Sequence, residues 1–356
     1  MARRNAMRAL VLLISFVLLA AGCGGSDGGD EGENGAGQAD QVKFLLAFVH
    51  DMVAVQYYFA DDFGYFEQCG IDIEYQTAAD VENPGQLILA GAVDIGILDP
   101  LTYLSGLNRG LPYVAIAVDT ARTGVAYVSL KETGIDGPED LPGHTVGVNP
   151  GSDNLWFLEK IMEDNLSLEQ QEQVNIVPAG FSIQPLLAGS MDAYTAWTTD
   201  SALNSLKHEG TEFNEIRANE HGIQTMGNVI VVSEQTLEEK PDMVKRFLAA
   251  VLGGFEELTP ENEEQAIDSA LERIGEDIPR EVEASIYQQL LELQQDPVWD
   301  EMGAGWHNPD GYAQTQDFLV DNGEITEPLP VEQLFTTEVL EEVMVDGEPQ
   351  IDQVCG

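Results

Sequence analysis

The sequence predicts an α/β protein with two lobes of similar build. From Lys43 onward, short apolar segments typical of buried strands alternate with helical stretches, the pattern of open, mostly parallel sheets flanked by helices. The chain has 356 residues, enough for two units that each bury a core. Residues 87–97 and 186–196 form a near-repeat: a helix end, a glycine suited to a left-handed cap, and an aspartate before a buried strand. Chance similarity of one helix–strand junction is the alternative.

The order of these segments divides the chain between the two lobes. In the first lobe, placed at 41–125 and 229–356, we expect strands at 42–49, 71–75, 93–98, 113–118 and 228–232 and helices at 53–63 and 87–90. In the second lobe, placed at 126–228, we expect strands at 126–130, 144–148, 174–177 and 193–197 and a helix at 153–162. Apolar residues at three and four spacing predict helices that buttress the first lobe, at 241–252, 263–274 and 280–295.

The N-terminus has the features of an export signal. A basic start precedes an apolar run over residues 9–22, which is too short to span a bilayer comfortably. The segment that ends in Cys23 resembles a lipobox, although Ala20 replaces its usual leucine, so we expect residues 1–22 to be a signal peptide and Cys23 to be lipidated. An ordinary cleaved signal with an incidental cysteine is the alternative. Residues 23–40 are rich in glycine and acidic side chains and predict a flexible tether.

The composition is strongly acidic. Fifteen Lys and Arg residues stand against 63 Asp and Glu residues, a formal net charge of −48. This charge repels phosphate backbones and anionic head groups, so we expect no nucleic-acid partner and no electrostatic docking on a membrane. Two interpretations of the acidity are open: a solvated coat, or adaptation to high salt, where repulsion between carboxylates is screened.

Two further cysteines, Cys69 and Cys355, would lie in a compartment that tolerates disulfides. We hypothesise that they pair and clip the C-terminal tail to the first lobe. Two independent thiols are the alternative, because sequence does not give the distance between them.

Four segments carry a family resemblance. Residues 63–74 (FGYFEQCGIDIE), the Leu-Ala-Gly-x-x-Asp segments of the near-repeat, residues 141–148 with Gly151-Ser152, and the helices around 239–248 and 317–325 resemble the periplasmic-binding family of nitrate, sulfonate, taurine and thiamine-pyrimidine-precursor receptors. The resemblance covers nearly all of residues 42–345. It implies a type II periplasmic-binding-protein fold with a hinge of two crossovers, and a monomeric, lipid-anchored, extracytoplasmic component of an ABC importer that works with a permease and an ATPase.

In that geometry the carboxyl ends of the strands face a cleft between the lobes, where open α/β sheets bind ligands. The candidate ligand-binding residues are His50, Asp51, Tyr57, Asp99, Asp119, Ser152, Asp153, Asn154, Trp197 and Asp200. Each has an alternative role. The aspartates and Ser152 suit helix capping, and aromatic residues at helical spacing are usual in a core. Free backbone N–H groups at 151–154 would suit a carbonyl or anionic oxygen.

The charge of these strand ends bears on the ligand class. Aspartates crowd the expected cleft, whereas the nearby cations foreseen from sequence are Arg109 and Arg122. We therefore favour an uncharged or cationic nitrogen heterocycle, such as a thiamine pyrimidine precursor or a flavin-like vitamin, over a sulfonate, taurine or nitrate.

An enzyme is the least favoured function. The resemblance extends to pyrimidine-synthesising relatives that use a pyridoxal cofactor on a lysine and a cysteine-rich segment, but this chain has no lysine between Lys43 and Lys131 and no cysteine cluster. HExxH and CxxC motifs are absent from the sequence. We expect no catalytic residue, no cofactor and no metal. A surface sensor or adhesion lipoprotein without a transport role is the other alternative.

Overall fold

The computed structural model describes residues 39–78, 81, 83–149, 153–180, 182–275 and 278–356. These residues belong to one compact unit. The expected signal peptide, Cys23, most of the expected tether and Ser152 lie outside them. Within the described ranges, no helix combines the length and the apolar character needed to cross a membrane.

The described chain alternates strands and helices, as expected. Its strands are β1 (Asp40–Leu46), β2 (Ile71–Thr77), β3 (Ile95–Leu98), β4 (Tyr113–Thr120), β5 (Val125–Leu130), β6 (Thr145–Val148), β7 (Asn175–Pro178), β8 (Ala193–Trp197), β9 (Phe213–Arg217), β10 (Asn228–Ser233), β11 (Met344–Val345) and β12 (Glu348–Pro349).

Helices cover the faces of the sheets, and the C-terminal ones follow β10. The helices are α1 (Val55–Asp62), α2 (Tyr65–Gln68), α3 (Pro84–Leu89), α4 (Pro100–Asn108), α5 (Asn154–Asn165), α6 (Leu168–Gln171), α7 (Gln184–Leu187), α8 (Ser201–His208), α9 (Glu234–Glu239), α10 (Pro241–Glu256), α11 (Glu263–Ile274), α12 (Arg280–Leu293), α13 (Pro297–Met302), α14 (Pro309–Asp321), α15 (Glu338–Val343) and α16 (Ile351–Cys355).

Two sheets of equivalent strand order form the two lobes. The first has the order β2-β1-β3-β10-β4 and the second the order β7-β6-β8-β5-β9. Strand β10 pairs antiparallel with both of its neighbours, and so does β5 in the second sheet, while the other described pairings within these two sheets are parallel. Each lobe is therefore an open mixed sheet in which all strands but one run in the same direction, which agrees with the mostly parallel sheets that the sequence predicts.

The reversed strands are the ones that enter from the other lobe. The chain leaves β4 at Thr120 and begins β5 at Val125, and it leaves β9 at Arg217 and begins β10 at Asn228. Because the two crossovers are hydrogen-bonded to each other, β5 and β10 begin at the boundary where β4 and β9 end, and so they run against the strands that end there. The strands parallel to β4 and β9 therefore finish at the boundary between the lobes.

The near-repeat forms the same joint in both lobes. Gly91 and Gly189 adopt left-handed φ angles of 65° and 68°, where a glycine is favoured. The Asp94 Oδ2 atom accepts the Lys43 N–H at 3.0 Å, and the Asp192 Oδ2 atom accepts the Thr145 N–H at 2.8 Å. Each aspartate thus connects its helix–strand junction to the start of the neighbouring parallel strand.

Two boundaries differ from the prediction at the start of the first lobe. Strand β1 ends at Leu46, whose partner Thr77 is the last residue of β2, so residues 47–49 extend past the ladder and are exposed. The helix expected over 53–63 is divided into a 3-10 turn at Met52–Ala54 and helix α1. Strand β9 and helix α8, which are both short and partly polar, were not predicted.

The C-terminal tail is fixed to the first lobe. Cys69, which follows α2, is joined to Cys355 of α16 by a disulfide with a Cα–Cα distance of 4.4 Å. The Gln68 side chain donates a hydrogen bond to Asp352 of α16 at 2.7 Å, and α16 also packs on α10. The last helix is thus held by the disulfide, a polar contact and packing.

The disulfide generates a first prediction. Peptide mapping without reductant should recover Cys69 and Cys355 in one cross-linked peptide, because the structure joins residues 286 positions apart. Replacing both by serine should lower the free energy of unfolding by about 2–4 kcal/mol, since a long loop is freed in the unfolded chain. Denaturation of the reduced wild type serves as the control. Full alkylation of both thiols without reductant would contradict the pairing.

Candidate functional site

The candidate site lies where strands of both sheets finish at the boundary between the lobes. Asp99 follows β3 of the first sheet, and Asp153 begins α5 after β6 of the second. Burial, and then the negative charge of Asp99, raise the pKa of Asp153 to about 7. Because these two carboxyl groups interact from opposite lobes, the strand ends of the two sheets face each other across a cleft.

The crossovers at the base of this cleft are hydrogen-bonded to each other. The Thr123 N–H donates to the Thr225 carbonyl at 3.0 Å, and the Gly227 N–H donates to the Thr120 carbonyl at 2.8 Å. The Asn219 side chain donates to the Thr123 carbonyl at 3.1 Å. The two connections therefore form one hinge.

His50 and Asp51 are both half-buried in the loop after β1. The His50 Nδ1 atom and the Tyr58 hydroxyl are 3.0 Å apart, and the His50 ring packs between Tyr58 and Tyr75. Burial, and then the nearby positive charge of Arg273, lower the pKa of His50, which therefore favours the neutral ring near pH 7. The predicted pair lies at the cleft edge, with both side chains half-buried.

Asp119 near the end of β4 is buried, and its carboxylate is hydrogen-bonded to side chains of the first lobe. It accepts hydrogen bonds from the Tyr57 hydroxyl at 2.5 Å, the Gln56 amide at 2.9 Å and the Thr120 hydroxyl at 2.9 Å. Burial raises the pKa of Asp119, although these donors act against the shift. Tyr57 is fully buried beside Phe44, so the structure places it in the first-lobe core, not on the cleft surface where the sequence analysis expected it.

Asp99 and Asp200 cap the helices that follow their strands. The Asp99 carboxylate accepts the Thr102 N–H at 2.8 Å, and the Asp200 carboxylate accepts the Leu203 N–H at 2.8 Å. Both side chains are exposed. Helix capping, the alternative role considered above, therefore explains why aspartate occupies both positions. Because both carboxylates are exposed at the strand ends, a ligand in the cleft can still contact them.

The second-lobe residues have mixed environments. Asn154 is buried, and its amide donates to the Asn149 side chain at 3.0 Å, while its backbone carbonyl accepts the Tyr127 hydroxyl. Trp197 is half-buried at the end of β8, with its ring against Gly124 of the first crossover, where an added Cβ would lie 2.7 Å away. Trp197 is thus placed to respond to hinge motion.

The structure adds three residues that the sequence analysis missed. Phe48 extends past β1 with 59% of its surface exposed, next to the cleft edge. Arg273 of α11 lies over the Tyr58 ring, 4.8 Å from its centroid, and pairs with Asp61 and Asp62. Glu283 of α12 is fully buried. Phe48 lies near the end of an expected strand, so its position could have been predicted. Nothing in the sequence distinguishes Arg273 or Glu283 from other charged residues on helices.

Helix α12 spans the side of the cleft and contacts both lobes. It packs on the turn at Met52–Ala54 of the first lobe and on α8 of the second. Fully buried Asn204 of α8 accepts hydrogen bonds from the Ser285 hydroxyl at 3.0 Å and the Gln289 amide at 2.8 Å. Its own amide donates to the Thr198 carbonyl at 2.8 Å. Asn204 thus joins the lobes beside the hinge.

Arg109, expected near the cleft, is exposed at the end of α4 opposite Asp99, whereas the two arginines beside the cleft contact other protein groups. The Arg122 guanidinium donates to the Gln295 carbonyl at 3.3 Å, and Arg273 is held by its two aspartates. Within the described ranges, no group of three His, Cys, Asp or Glu side chains is arranged to hold a metal ion.

A cavity of about 320 Å³ lies elsewhere in the first lobe. Its lining includes Glu256, Trp299, Asp300 and Asp346, and it contains none of the predicted ligand residues. The predicted ligand residues are therefore not part of this cavity.

The Asn204 contacts generate a second prediction. Asn204→Ala should lower the free energy of unfolding by about 1–3 kcal/mol in urea titrations, because buried groups on α12 lose their partner. The control is Asn322→Ala, an exposed residue whose amide donates to the Phe318 carbonyl of its own helix, with an expected change below about 0.5 kcal/mol. Equal losses in both variants would argue against a buried joint.

Comparison with known proteins places this geometry in a family. A family model described as NMT1/THI5 like matches residues 52–265, more than half of the chain. The formylaminopyrimidine-binding protein of Halalkalibacterium halodurans is 24% identical over 304 residues, 84% of this chain and 90% of that protein. The riboflavin-binding protein RibY of Chloroflexus aurantiacus is 24% identical over 307 residues, 84% of this chain and 85% of that protein.

A solved structure and an enzyme relative complete the comparison. The periplasmic aliphatic sulphonate-binding protein SsuA of Escherichia coli matches with a TM-score of 0.65 and 15% identity, over 84% of this chain and 98% of SsuA, which shows the shared fold. The 4-amino-5-hydroxymethyl-2-methylpyrimidine phosphate synthase THI13 of Saccharomyces cerevisiae is 31% identical over 161 residues, 43% of this chain and 45% of the yeast protein. The two bacterial relatives, matched over most of their length, are thus named as binding proteins, and the yeast enzyme is matched over less than half of its length.

Proposed function

The chain belongs to the NMT1/THI5-like family, and on that premise we propose that it is the extracytoplasmic substrate-binding component of an ABC importer. The observation that carries the proposal is the pair of equivalent sheets, joined by two hydrogen-bonded crossovers, with their strand ends facing across a cleft. This is the geometry in which a hinge closes two lobes over a small molecule. The binding relatives matched over most of their length support it.

The polar groups of the cleft favour a ligand that donates hydrogen bonds. Asp51, Asp99, Asp153 and Asp200 bring carboxylates to the strand ends, and Arg122 is engaged with a backbone carbonyl. A sulfonate or nitrate would therefore meet repulsion, since the two arginines described beside the cleft, Arg122 and Arg273, already contact protein groups. Exposed Phe48 supplies a flat apolar surface beside these acceptors. We infer a neutral or cationic nitrogen heterocycle, such as a formylated aminopyrimidine or a flavin, as the ligand class.

Closure would couple binding to transport. A ligand held by both lobes stabilises the closed arrangement by its differential affinity for that state. The closed shape is what a membrane permease, powered by its ATPase, would recognise. Lipidation at Cys23 and an acidic tether over 23–40 would keep a monomeric receptor near that permease, and these features rest on the sequence pattern.

Catalysis is the second candidate function, favoured by the partial match to a yeast synthase. The sequence argues against it, because the stretch between Lys43 and Lys131 offers no lysine for a Schiff base and no cysteine cluster accompanies it. We therefore propose binding without chemical conversion. Recovery of an unmodified ligand after incubation would distinguish the two.

A ligand panel tests the proposed function. We expect formylaminopyrimidine or riboflavin to raise the melting temperature, and an aliphatic sulfonate to leave it unchanged, because of the carboxylates at the cleft. Mass spectrometry of small molecules released on denaturation provides an independent identification. Stabilisation by the sulfonate alone would contradict the ligand class. A melting temperature that no compound changes would favour a sensor or adhesion role.

Asp51 provides the matching variant. Asp51→Asn should weaken binding of the stabilising compound about 10- to 100-fold at a pH of about 8 by calorimetry, since a hydrogen bond to a charged group is lost. Asp72→Asn makes the same charge change at an exposed position of the edge strand β2 and serves as the control. Equal affinities of the two variants would remove Asp51 from the ligand site.

A further inference from the structure

The orientation of the His50 ring is fixed by its neighbours in the first lobe. The ring stacks on Tyr58, with the ring centroids 6.0 Å apart, and makes an edge-to-face contact with Tyr75 at 5.9 Å. Tyr58 is itself in contact with Tyr75, at 5.8 Å, and with the Arg273 guanidinium, 4.8 Å from its centroid. The Tyr75 hydroxyl donates to the Tyr57 carbonyl at 2.9 Å. These contacts hold the His50 ring in one orientation.

The Tyr58 hydroxyl determines which nitrogen of His50 carries the proton. Tyr58 is completely buried, and burial, followed by the negative charge of Asp51, raises the pKa of Tyr58, so the hydroxyl keeps its proton near neutral pH. Asp51 also makes a backbone hydrogen bond to this hydroxyl, which lowers the pKa as a donated N–H does, so that bond occupies the oxygen and not its proton. A buried O–H needs an acceptor, and across the described ranges the acceptor found for this proton is the His50 Nδ1 atom, 3.0 Å away. The hydroxyl therefore donates to Nδ1.

Neutral His50 consequently carries its proton on Nε2. Burial, and then the positive charge of Arg273, lower the pKa of His50, which favours the neutral ring near neutral pH. A neutral imidazole has one donor and one acceptor nitrogen, and here Nδ1 is the acceptor. The His50 Nε2 atom has no hydrogen-bond partner in the described part of the chain and is accessible, whereas the Nε2 atom of His307 is buried. His50 thus presents an unused N–H donor.

This donor lies at the end of the first sheet that faces the cleft. Strand β1 runs parallel to β3, and His50 and Asp99 follow these two strands. Residues 47–49, between β1 and His50, are exposed. Asp51, the next residue, supplies a half-buried carboxylate. The same edge of the cleft therefore offers a hydrogen-bond donor as well as a hydrogen-bond acceptor.

We propose that His50 donates its Nε2–H to an acceptor atom of the ligand, a carbonyl oxygen or an unprotonated ring nitrogen, and that Tyr58 is the positioning residue that directs this donor. The inference rests on the proposed function and narrows its ligand class. A ligand that also donates to Asp51 must carry both a donor and an acceptor, as the amino group and ring nitrogen of an aminopyrimidine or the ring amide of a flavin provide. A simple alkylammonium ion, which only donates, would leave the His50 N–H without a partner.

NMR of protein that carries isotope-labelled histidine tests the proton position without a ligand. At a pH of about 8, where an ordinary imidazole is neutral, we expect the His50 Nε2 resonance to show a bonded proton and the Nδ1 resonance to show none. The spectrum of His50→Gln identifies His50 among the five histidines. In Tyr58→Phe the Nδ1 resonance should shift, because its donor is removed. The matched control is Tyr103→Phe, which removes another buried hydroxyl, the donor to the Leu334 carbonyl at 2.9 Å, and should leave that resonance unchanged.

Calorimetry with formylaminopyrimidine and riboflavin tests the ligand contact. His50→Phe keeps a flat ring against the two tyrosines but has no donor, so it should weaken binding of the stabilising compound about tenfold. His50→Gln can place an amide N–H near the position of Nε2–H and should lose about threefold or less. Tyr58→Phe should lose about twofold to fivefold, because the donor is no longer held in place. Tyr103→Phe should bind as the wild type, although its melting temperature falls as that of Tyr58→Phe does.

The outcomes separate this inference from the proposed function. A ligand-free His50 with its proton on Nδ1 would overturn the direction of the hydrogen bond and leave the receptor function standing. Equal affinities of the wild type and His50→Phe would overturn the ligand contact, again with the receptor function intact. An alkylammonium ion that binds as tightly as the heterocycles would overturn the need for an acceptor on the ligand. Failure of every probe, the aliphatic sulfonate included, would overturn the receptor function and, with it, the ligand contact.

Discussion

The position at which the chain crosses between the lobes is the constraint on which the rest of the structure depends. Strands β4 and β9 end at the boundary, and the crossovers after them stay there because they are hydrogen-bonded to each other. Strands β5 and β10 must therefore start at the boundary and run against their neighbours. The other strand ends of both sheets are thereby gathered at one cleft, beside a hinge closed by backbone hydrogen bonds.

Helix α12 forms one side wall of the cleft. It contacts the turn at Met52–Ala54, joins Asn204 of the second lobe through two side chains, and reaches the first crossover, where the Arg122 N–H donates to the Leu293 carbonyl at 3.1 Å. A change in the angle between the lobes must alter these contacts. Closure of the cleft would therefore involve the C-terminal segment. The last helix of that segment is joined to the first lobe by the disulfide.

Burial of acidic groups is the energetic feature that connects fold and function. A protein with a formal net charge of −48 has many carboxylates to solvate, and the cost of burying one is severe. Asp119 offsets that cost with donors from Gln56, Tyr57 and Thr120. Asp153 and Glu283 remain in environments that raise their pKa to about 7. The acidic groups near the cleft are thus of two kinds. Asp119 is held by hydrogen bonds from its own lobe, whereas the charge of Asp153 and Glu283 depends on pH near neutrality.

The sequence by itself determined the fold class, the order of most strands and the joints built on Asp94 and Asp192, because hydrophobic periodicity and helix-end chemistry are local properties of the chain. It also located the strand ends that supply the candidate site. The tertiary structure decided which of those side chains face the cleft: Tyr57 became core, Asp99 and Asp200 became exposed caps, and Arg273 and Glu283 arrived from helices more than 200 residues away along the chain from Asp51. Burial and charge pairing arise from contacts between distant segments, so local pattern carries no signal for them.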